Sequence, residues 1–277
     1  MTKHIDLLME QKKLPNEIDP VLFQINDLYG TGVFPAHFHE EIEILHVIYG
    51  KISVSIFGND YVISKGELCF VPSMAIHTIC NLGEPSKYDC CLLNVSYFAK
   101  ENIDIKQYSI SPVISDSAIV DEYKKLRNTF HGNQQLFKNT MIRSLGICFL
   151  INLIDRCSEK NSIPNFSNDK KAEIVKQVSL YLKNHSSENI DIDTISKDYG
   201  YSSSYLSRLF KKYTHTTMSK TLNNYRCLNA QKLLMTENLS VTEICEMCGY
   251  SNFSYFTKTY KECIGELPSA TKNKYSR

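Results

Sequence analysis

The chain has 277 residues, 43% of them hydrophobic and 22% charged, with a formal net charge of +1. That length suits two domains of ordinary size, and the apolar content excludes wholesale disorder. The opening MTKHIDLLMEQKK is mixed and charged, so no signal peptide is expected, and the most apolar stretch, Ile142 to Ile154, is interrupted by Arg143 and falls short of the roughly 20 apolar residues that span a bilayer.

Residues 1–30 suggest a loose arm leading into a first strand around Phe23 to Leu28. From Glu41 the pattern is β. Ile42, Ile44, His46 and Ile48 alternate with Glu43, Leu45, Val47 and Tyr49, and turn signals follow at Gly50-Lys51 and Gly58-Asn59-Asp60. YVI, LCFV, AIHTICN and the run Tyr88 to Val95 continue the series. Short strands with turns this close predict a sandwich or barrel. Cys90 and Cys91 fall on opposite faces of one strand. The 10 cysteines as a set are expected as reduced core thiols. The Cys245/Cys248 pair has no partner pair, and zinc sites usually need four spaced ligands.

After about Ser111 helical spacing takes over, across Asp116 to Thr129 and Gln135 to Cys157. In the second helix Leu136, Phe137, Met141, Leu145, Cys148, Phe149, Asn152 and Leu153 share one side. That face is wide enough for two destinations, the barrel and a second copy of the chain. Residues 158–169 (SEKNSIPNFSND) are polar and aperiodic, which marks a linker.

From Asn168 onward there are 16 basic against 11 acidic residues, a net +5; the rest holds 15 against 19, a net −4. Such asymmetry fits a half that meets a polyanion. The basic half contains an internal repeat. IDIDTISKDYGYSSSYLSRLFKKY (190–213) aligns with LSVTEICEMCGYSNFSYFTKTYKEC (239–263), matching Ile195 with Ile244, Gly200-Tyr201 with Gly249-Tyr250 and, after a one-residue shift, Tyr205 with Tyr255. Each copy predicts helix, turn, helix. Asp191 caps the first, and Ser240 with Glu243 forms a capping box in the second. Gly200 and Gly249 end the short helices, and Ser202 and Ser251 are placed to cap the longer ones. Met218 to Glu237 predicts a connecting helix about 30 Å long, close to the roughly 34 Å turn of DNA that separates two groove-reading helices.

The segments GYSSSYLSRLFKKY, NNYRCLNAQKLL and GYSNFSYFTKTYKECIGELPSA resemble the DNA-binding domain of the AraC/XylS family of bacterial regulators. The resemblance implies that the exposed side chains of each second helix read bases: Ser203, Ser204, Ser207 and Arg208 in the first unit, and Asn252, Phe253, Ser254, Thr257 and Lys258 in the second. Lys211, Lys212 and Lys261 would then lie near phosphates. Two departures stand out. Lys258 occupies a position that is often Arg, and Leu267-Pro268 replaces the usual Thr/Ser-Pro. A lysine is a point charge rather than a fork, which weakens a bidentate guanine contact.

Two N-terminal stretches, Gly32-VFPA-His37-Phe-His39-EEI-Glu43-ILHVIY-Gly50 and Gly66-ELCFV-Pro72-SMAI-His77-TIC-Asn81, resemble the two cupin motifs. Met74 stands where the cupin pattern has Gly, which is expected to alter the turn that delivers His77. Phe34, His37, His39, Glu43 and His77 are the candidate lining of an effector pocket. No cofactor is expected; were a metal bound, His37, His39, Glu43 and His77 would hold it.

The expected fold is therefore α+β in two domains: a cupin-like β-barrel with flanking helices over 1–160 (barrel about 20–110, helices about 116–157), and an all-α double helix-turn-helix domain over 170–277. The helix-turn-helix units fall at about 190–213 and 240–263, with a linker helix at about 218–237. The expected function is effector-controlled, sequence-specific transcription regulation, without enzymatic activity. The expected partners are double-stranded promoter DNA, an unknown small-molecule effector, RNA polymerase as the family implies, and a second copy through helix 135–157. No membrane partner is expected, and the expected location is the bacterial cytoplasm and nucleoid. Two rivals are a metal-dependent cupin enzyme with a helical accessory domain, and constitutive DNA binding with a barrel that serves only dimerisation.

Overall fold

A computed structural model describes residues 20–28, 33–133, 136–158 and 170–275, without the side chains of 24–28 and 33–35. Most of the predicted N-terminal arm and of the linker at 158–169 lies outside the described residues. So does Gln135, the predicted start of the second helix. The chain divides into two compact units, one within 12–169 and one containing 170–277.

The described residues of the first unit form nine antiparallel strands: β1 (Val21–Leu28), β2 (Val33–His37), β3 (Ile42–Tyr49), β4 (Lys51–Ile56), β5 (Asn59–Ser64), β6 (Leu68–Val71), β7 (His77–Asn81), β8 (Ser86–Leu93) and β9 (Val113–Ile114). They form two sheets, ordered β1-β8-β3-β6-β9 and β2-β7-β4-β5. The expected barrel is present as this pair of sheets, which do not close on each other. The alternation read from β3 places Ile42 and Ile44 on one side and Glu43, Leu45 and Val47 on the other, yet all are buried. Helices cover the first side, and the second sheet faces the other, where Glu43 meets His77 of β7. Cys91 joins the helix-covered face while Cys90 hydrogen-bonds Glu43, so the two adjacent cysteines do point apart.

Past β8 the chain departs from the expected strand. Val95 opens a short helix, α1 (Val95–Lys100), capped by Asn94, whose side chain accepts from the Tyr97 amide. A 3-10 turn at Ile105–Gln107 follows, then α2 (Ser117–His131) and α3 (Lys138–Cys157). The buried stripe of α3 is Ile142, Gly146, Phe149, Leu150 and Leu153. This corrects the face read from the sequence. Leu136 and Phe137 precede the helix and are 77% and 68% exposed, and Met141 and Cys148 face outward. Phe137 takes a left-handed backbone (φ 58°), which turns the chain before the helix starts. Helix α2 is tied to β8 by Asp89, a fully buried carboxylate. The Tyr123 hydroxyl donates to Asp89, Arg127 Nε lies 2.6 Å from it, and His46 Nδ1 lies 3.4 Å away. A charge taken out of water requires partners of this kind.

The second unit is helical: α4 (Lys170–Asn184), α5 (Ile192–Asp198), α6 (Ser203–Thr214), α7 (Met218–Thr236), α8 (Val241–Met247), α9 (Phe253–Ile264) and α10 (Pro268–Tyr275). Asp191 caps α5, Ser202 caps α6, and Ser240 forms a reciprocal capping box with Glu243 on α8. Pro268 opens α10, where a missing N–H costs nothing. The core around α7, α8 and α9 is built from Cys227, Ala230, Leu234, Ile244, Cys245, Cys248, Tyr250, Phe256, Tyr260 and Ile264.

Candidate functional site

Two constellations emerge, one on each unit. On the helical unit, α5–α6 and α8–α9 are paired helices joined by tight turns. Gly200 and Gly249 take φ of +74° and +81° at the ends of the short helices, a region cheap only for glycine. Ser196 and Cys245 are buried where each pair crosses. Helix α7, 19 residues long, extends about 28 Å between the pairs, which is compatible with two successive major-groove faces.

On α6 the side chains of Ser204, Ser207, Arg208, Lys211 and Lys212 are exposed, and Ser203 is half-buried. Arg208 donates from Nε to the Ser204 carbonyl (3.3 Å). On α9 Asn252, Phe253, Ser254, Lys258 and Lys261 are exposed, and Thr257 is half-buried. Two of these have less to offer a base than the sequence suggests. The Thr257 hydroxyl donates to the Phe253 carbonyl (2.9 Å), and Asn252 Oδ1 accepts from the Tyr255 amide (2.8 Å). Asn252, not Ser251, is therefore the cap of α9. The second turn is one residue longer than the first, since α6 starts three residues after Gly200 and α9 four after Gly249. Tyr255 was not singled out from the sequence. It is 51% exposed on α9, and its hydroxyl accepts from Asn223 Nδ2 of α7 (2.9 Å). Its match to Tyr205 in the repeat was the available signal.

On the β unit, His37 (β2), His39 (the β2–β3 loop), Glu43 (β3) and His77 (β7) converge. Their potential ligand atoms all lie within 4.8 Å of one another. His37 and His39 are half-buried at the accessible edge, while Glu43 and His77 are 3% and 1% exposed beneath them. Met74 does not spoil the delivery of His77. It adopts the left-handed backbone itself (φ 61°), and its amide donates to the His39 carbonyl (2.8 Å), so the turn is retained without glycine. Phe34 pairs with Ile79 on β7, but its side chain lies outside the described residues.

The ring orientations decide the chemistry. His77 Nδ1 is 2.9 Å from the Ala75 carbonyl, and His39 Nδ1 is 3.1 Å from the Glu41 carbonyl. A carbonyl only accepts, so each Nδ1 carries a proton and each Nε2 turns inward. His77 Nε2 then meets Glu43 Oε2 at 2.8 Å, and His39 Nε2 meets it at 3.7 Å. A neutral imidazole nitrogen and a carboxylate are both acceptors. That contact requires a bridging proton or a cation. Burial disfavours charge on His39, but the Glu43 carboxylate, with help from Glu41, outweighs it and raises the histidine's pKa. Burial alone would raise Glu43, yet His39 and His77 hold it well below the usual carboxylate range.

No metal is expected from the sequence, yet the donor set of these cupin-like stretches is one that could hold an ion. Two donors each about 2.1 Å from one ion lie at most about 4.2 Å apart, so a small contraction gathers all four. Neutral imidazoles held by backbone carbonyls are the usual outer support of histidine ligands. Three imidazoles and a carboxylate suit a divalent first-row ion.

A duplicated helix-turn-helix unit on a connecting helix, carried in one chain with a two-sheet β unit, defines a DNA-binding transcription regulator. Comparisons with known proteins agree. Residues 195–274 match the helix-turn-helix domain family and residues 27–93 the cupin domain family. The HTH-type transcriptional activator RhaS of Enterobacter sp. (strain 638) is 26% identical over 245 residues, covering 83% of this chain and 84% of that protein. RhaS of Salmonella arizonae is 25% identical over 262 residues, covering 90% and 88%. Among solved structures, ToxT from Vibrio cholerae aligns over 94% of this chain and all of its own, at 12% identity and a TM-score of 0.46. These findings support an AraC-family regulator with a cupin-type N-terminal unit. Among the described residues no helix is long and apolar enough to cross a membrane.

Proposed function

We propose that the chain is a cytoplasmic, ligand-controlled transcription activator in which the histidine–glutamate cluster is the sensing site. The observation that carries this is the convergence of the His37, His39, Glu43 and His77 ligand atoms within 4.8 Å of one another, around a buried 2.8 Å contact of His77 Nε2 with Glu43 Oε2 that a proton or a cation must bridge. A divalent ion held by His37, His39, Glu43 and His77 would satisfy it and supply an electrophilic anchor for a small effector entering past His37 and His39. In this reading residues 1–160 are the sensing domain and 170–277 the DNA-binding domain. Base edges fall to Ser203, Ser204, Ser207, Arg208, Asn252, Phe253, Ser254, Thr257 and Lys258, and phosphates to Lys211, Lys212 and Lys261. The exposed Leu136, Phe137, Met141 and Ile151 on and before α3 supply the face for a second copy. RNA polymerase is the downstream partner at the promoter. Control requires that the ligand bind one DNA-binding state more tightly than the other.

The test uses full-length protein stripped of metal, with a duplex selected from random sequence by the untreated protein. Stoichiometric uptake of Zn²⁺, Mn²⁺, Fe²⁺ or Ni²⁺ that shifts DNA affinity, and that is lost in the His37→Ala/His39→Ala variant, supports the reading. Uptake without any change in DNA affinity favours the metal-enzyme rival. No uptake, with unaltered DNA affinity, removes the sensing role from this cluster.

A further inference from the structure

The loop that leads into the first helix-turn-helix unit touches the second unit at a point the repeat does not contain. The loop at 185–190 runs from α4 into the first unit. It lies directly against the turn between α8 and α9 of the second. A Cβ on Gly249 would stand 2.7 Å from the Ser187 carbonyl oxygen and 3.1 Å from that of Ser186. Gly200, its counterpart in the first unit, has nothing within 4 Å. The close approach is therefore specific to the second turn.

Arg226, on the connecting helix α7, holds this junction. Its Nε donates to the Ser186 carbonyl at 2.7 Å, and its Nη2 donates to the Glu188 carbonyl at 2.8 Å. Its guanidinium carbon lies 5.4 Å from the ring centre of Tyr250, the residue after Gly249. One turn further along α7, Asn229 Nδ2 donates to Ser186 Oγ (3.0 Å), and Ser186 is 2% exposed. Tyr250 is held in turn, its hydroxyl 3.3 Å from the Asn223 carbonyl and 3.3 Å from Cys227 Sγ. One planar fork thus joins the connecting helix, the loop that leads into the first unit and the turn that aims the second recognition helix. Only a guanidinium offers two fixed donors and a stacking face at once.

We infer that Arg226 is a positioning residue for DNA recognition. It fixes the angle between α6 and α9, and so sets which spacing of two half-sites the protein accepts. Arg226 touches no base in this assignment; it acts by keeping the second contact at high effective concentration once the first has formed. The inference rests on the reading that both units engage one duplex.

The experiment uses the full chain as wild type, Arg226→Lys and Arg226→Ala. Three probes are needed: a two-box duplex selected by the wild type, the same duplex with about five base pairs (half a turn) inserted between the boxes, and each box alone. The wild type is expected to lose at least about tenfold on insertion, as a linked pair forced out of register does. Both variants should hold single-box affinity within about twofold, lose about tenfold on the two-box duplex, and show an insertion penalty of no more than about threefold. Should Arg226→Ala fail to fold, Arg226→Lys, which keeps charge and length but not the fork, decides. Unchanged two-box affinity and insertion penalty would overturn the inference. So would a single-box loss equal to the two-box loss, since that is mere destabilisation. A wild type indifferent to insertion would instead overturn the two-unit reading beneath it, and the clamp with it.

Discussion

The paired turn glycines offer a comparison in which one site serves as the control for the other. Gly200→Ala and Gly249→Ala place the same methyl group at the same point of the repeat, at φ of +74° and +81°. Each pays for a left-handed backbone, about 1–2 kcal/mol. At Gly200 the added carbon meets open space, so the loss stops there. At Gly249 it meets the Ser187 carbonyl at 2.7 Å, and that backbone cannot retreat freely because Arg226 bonds the carbonyls on either side of it. Overpacking of this kind adds about 1–3 kcal/mol, giving a total of about 2–5 kcal/mol. Urea unfolding of the full chain, followed by its helical signal, measures both. Losses equal within about 0.5 kcal/mol, the spread expected of uninvolved sites, would refute the proposed crowding at the second turn.

Arg208→Ala is expected to cost about 1–3 kcal/mol of DNA affinity and to relax preference at one base position. Lys211→Ala should weaken all duplexes alike and flatten the salt slope by about one unit, so base-specific loss from Lys211→Ala in a salt titration would reverse the assignment. Asp89→Ala leaves Arg127 without its buried partner and should destabilise the N-terminal unit by about 3–5 kcal/mol; a melting temperature equal to wild type would show that the contact contributes little. For metal-free protein, the raised pKa of His39 means its stabilisation is complete below the ordinary 6.5 and is lost as pH climbs through the higher folded value. The lowered pKa of Glu43 makes its contribution complete above 4.5 and lost only in stronger acid. Stability should therefore peak between these values and decline towards pH 8, a decline that added divalent ion should reverse. A melting profile flat from pH 5.5 to about 8 would contradict this.

The repeat was the most legible part of the chain because its signals are local. Caps, turn glycines and aromatic anchors act within a few residues, and Asp191, Ser202 and Ser240 all do what their positions suggest. Ser251 failed because the longer second turn moves the cap one residue on, to Asn252. The α3 face was misjudged because the helix is apolar on most sides, and periodicity does not choose between them. Its packing against α2 and the sheet selects Ile142, Gly146, Phe149, Leu150 and Leu153. The HxH–Glu–His set was visible as a pattern, but the inward turn of its Nε2 atoms depends on the carbonyls of Glu41 and Ala75, which no motif specifies. Nothing in the sequence distinguishes Arg226 from the other polar residues of the connecting helix. Its partners lie about 40 residues earlier, in a loop without periodicity.

The central claim, that two helix-turn-helix units read one duplex in sequence, is tested most directly by selecting duplexes from a random pool with the full-length protein at moderate salt. The account predicts two enriched boxes about 10 base pairs apart, bound at least about a thousandfold more tightly than random competitor. Enrichment of a single box, or of no sequence at all, would contradict it.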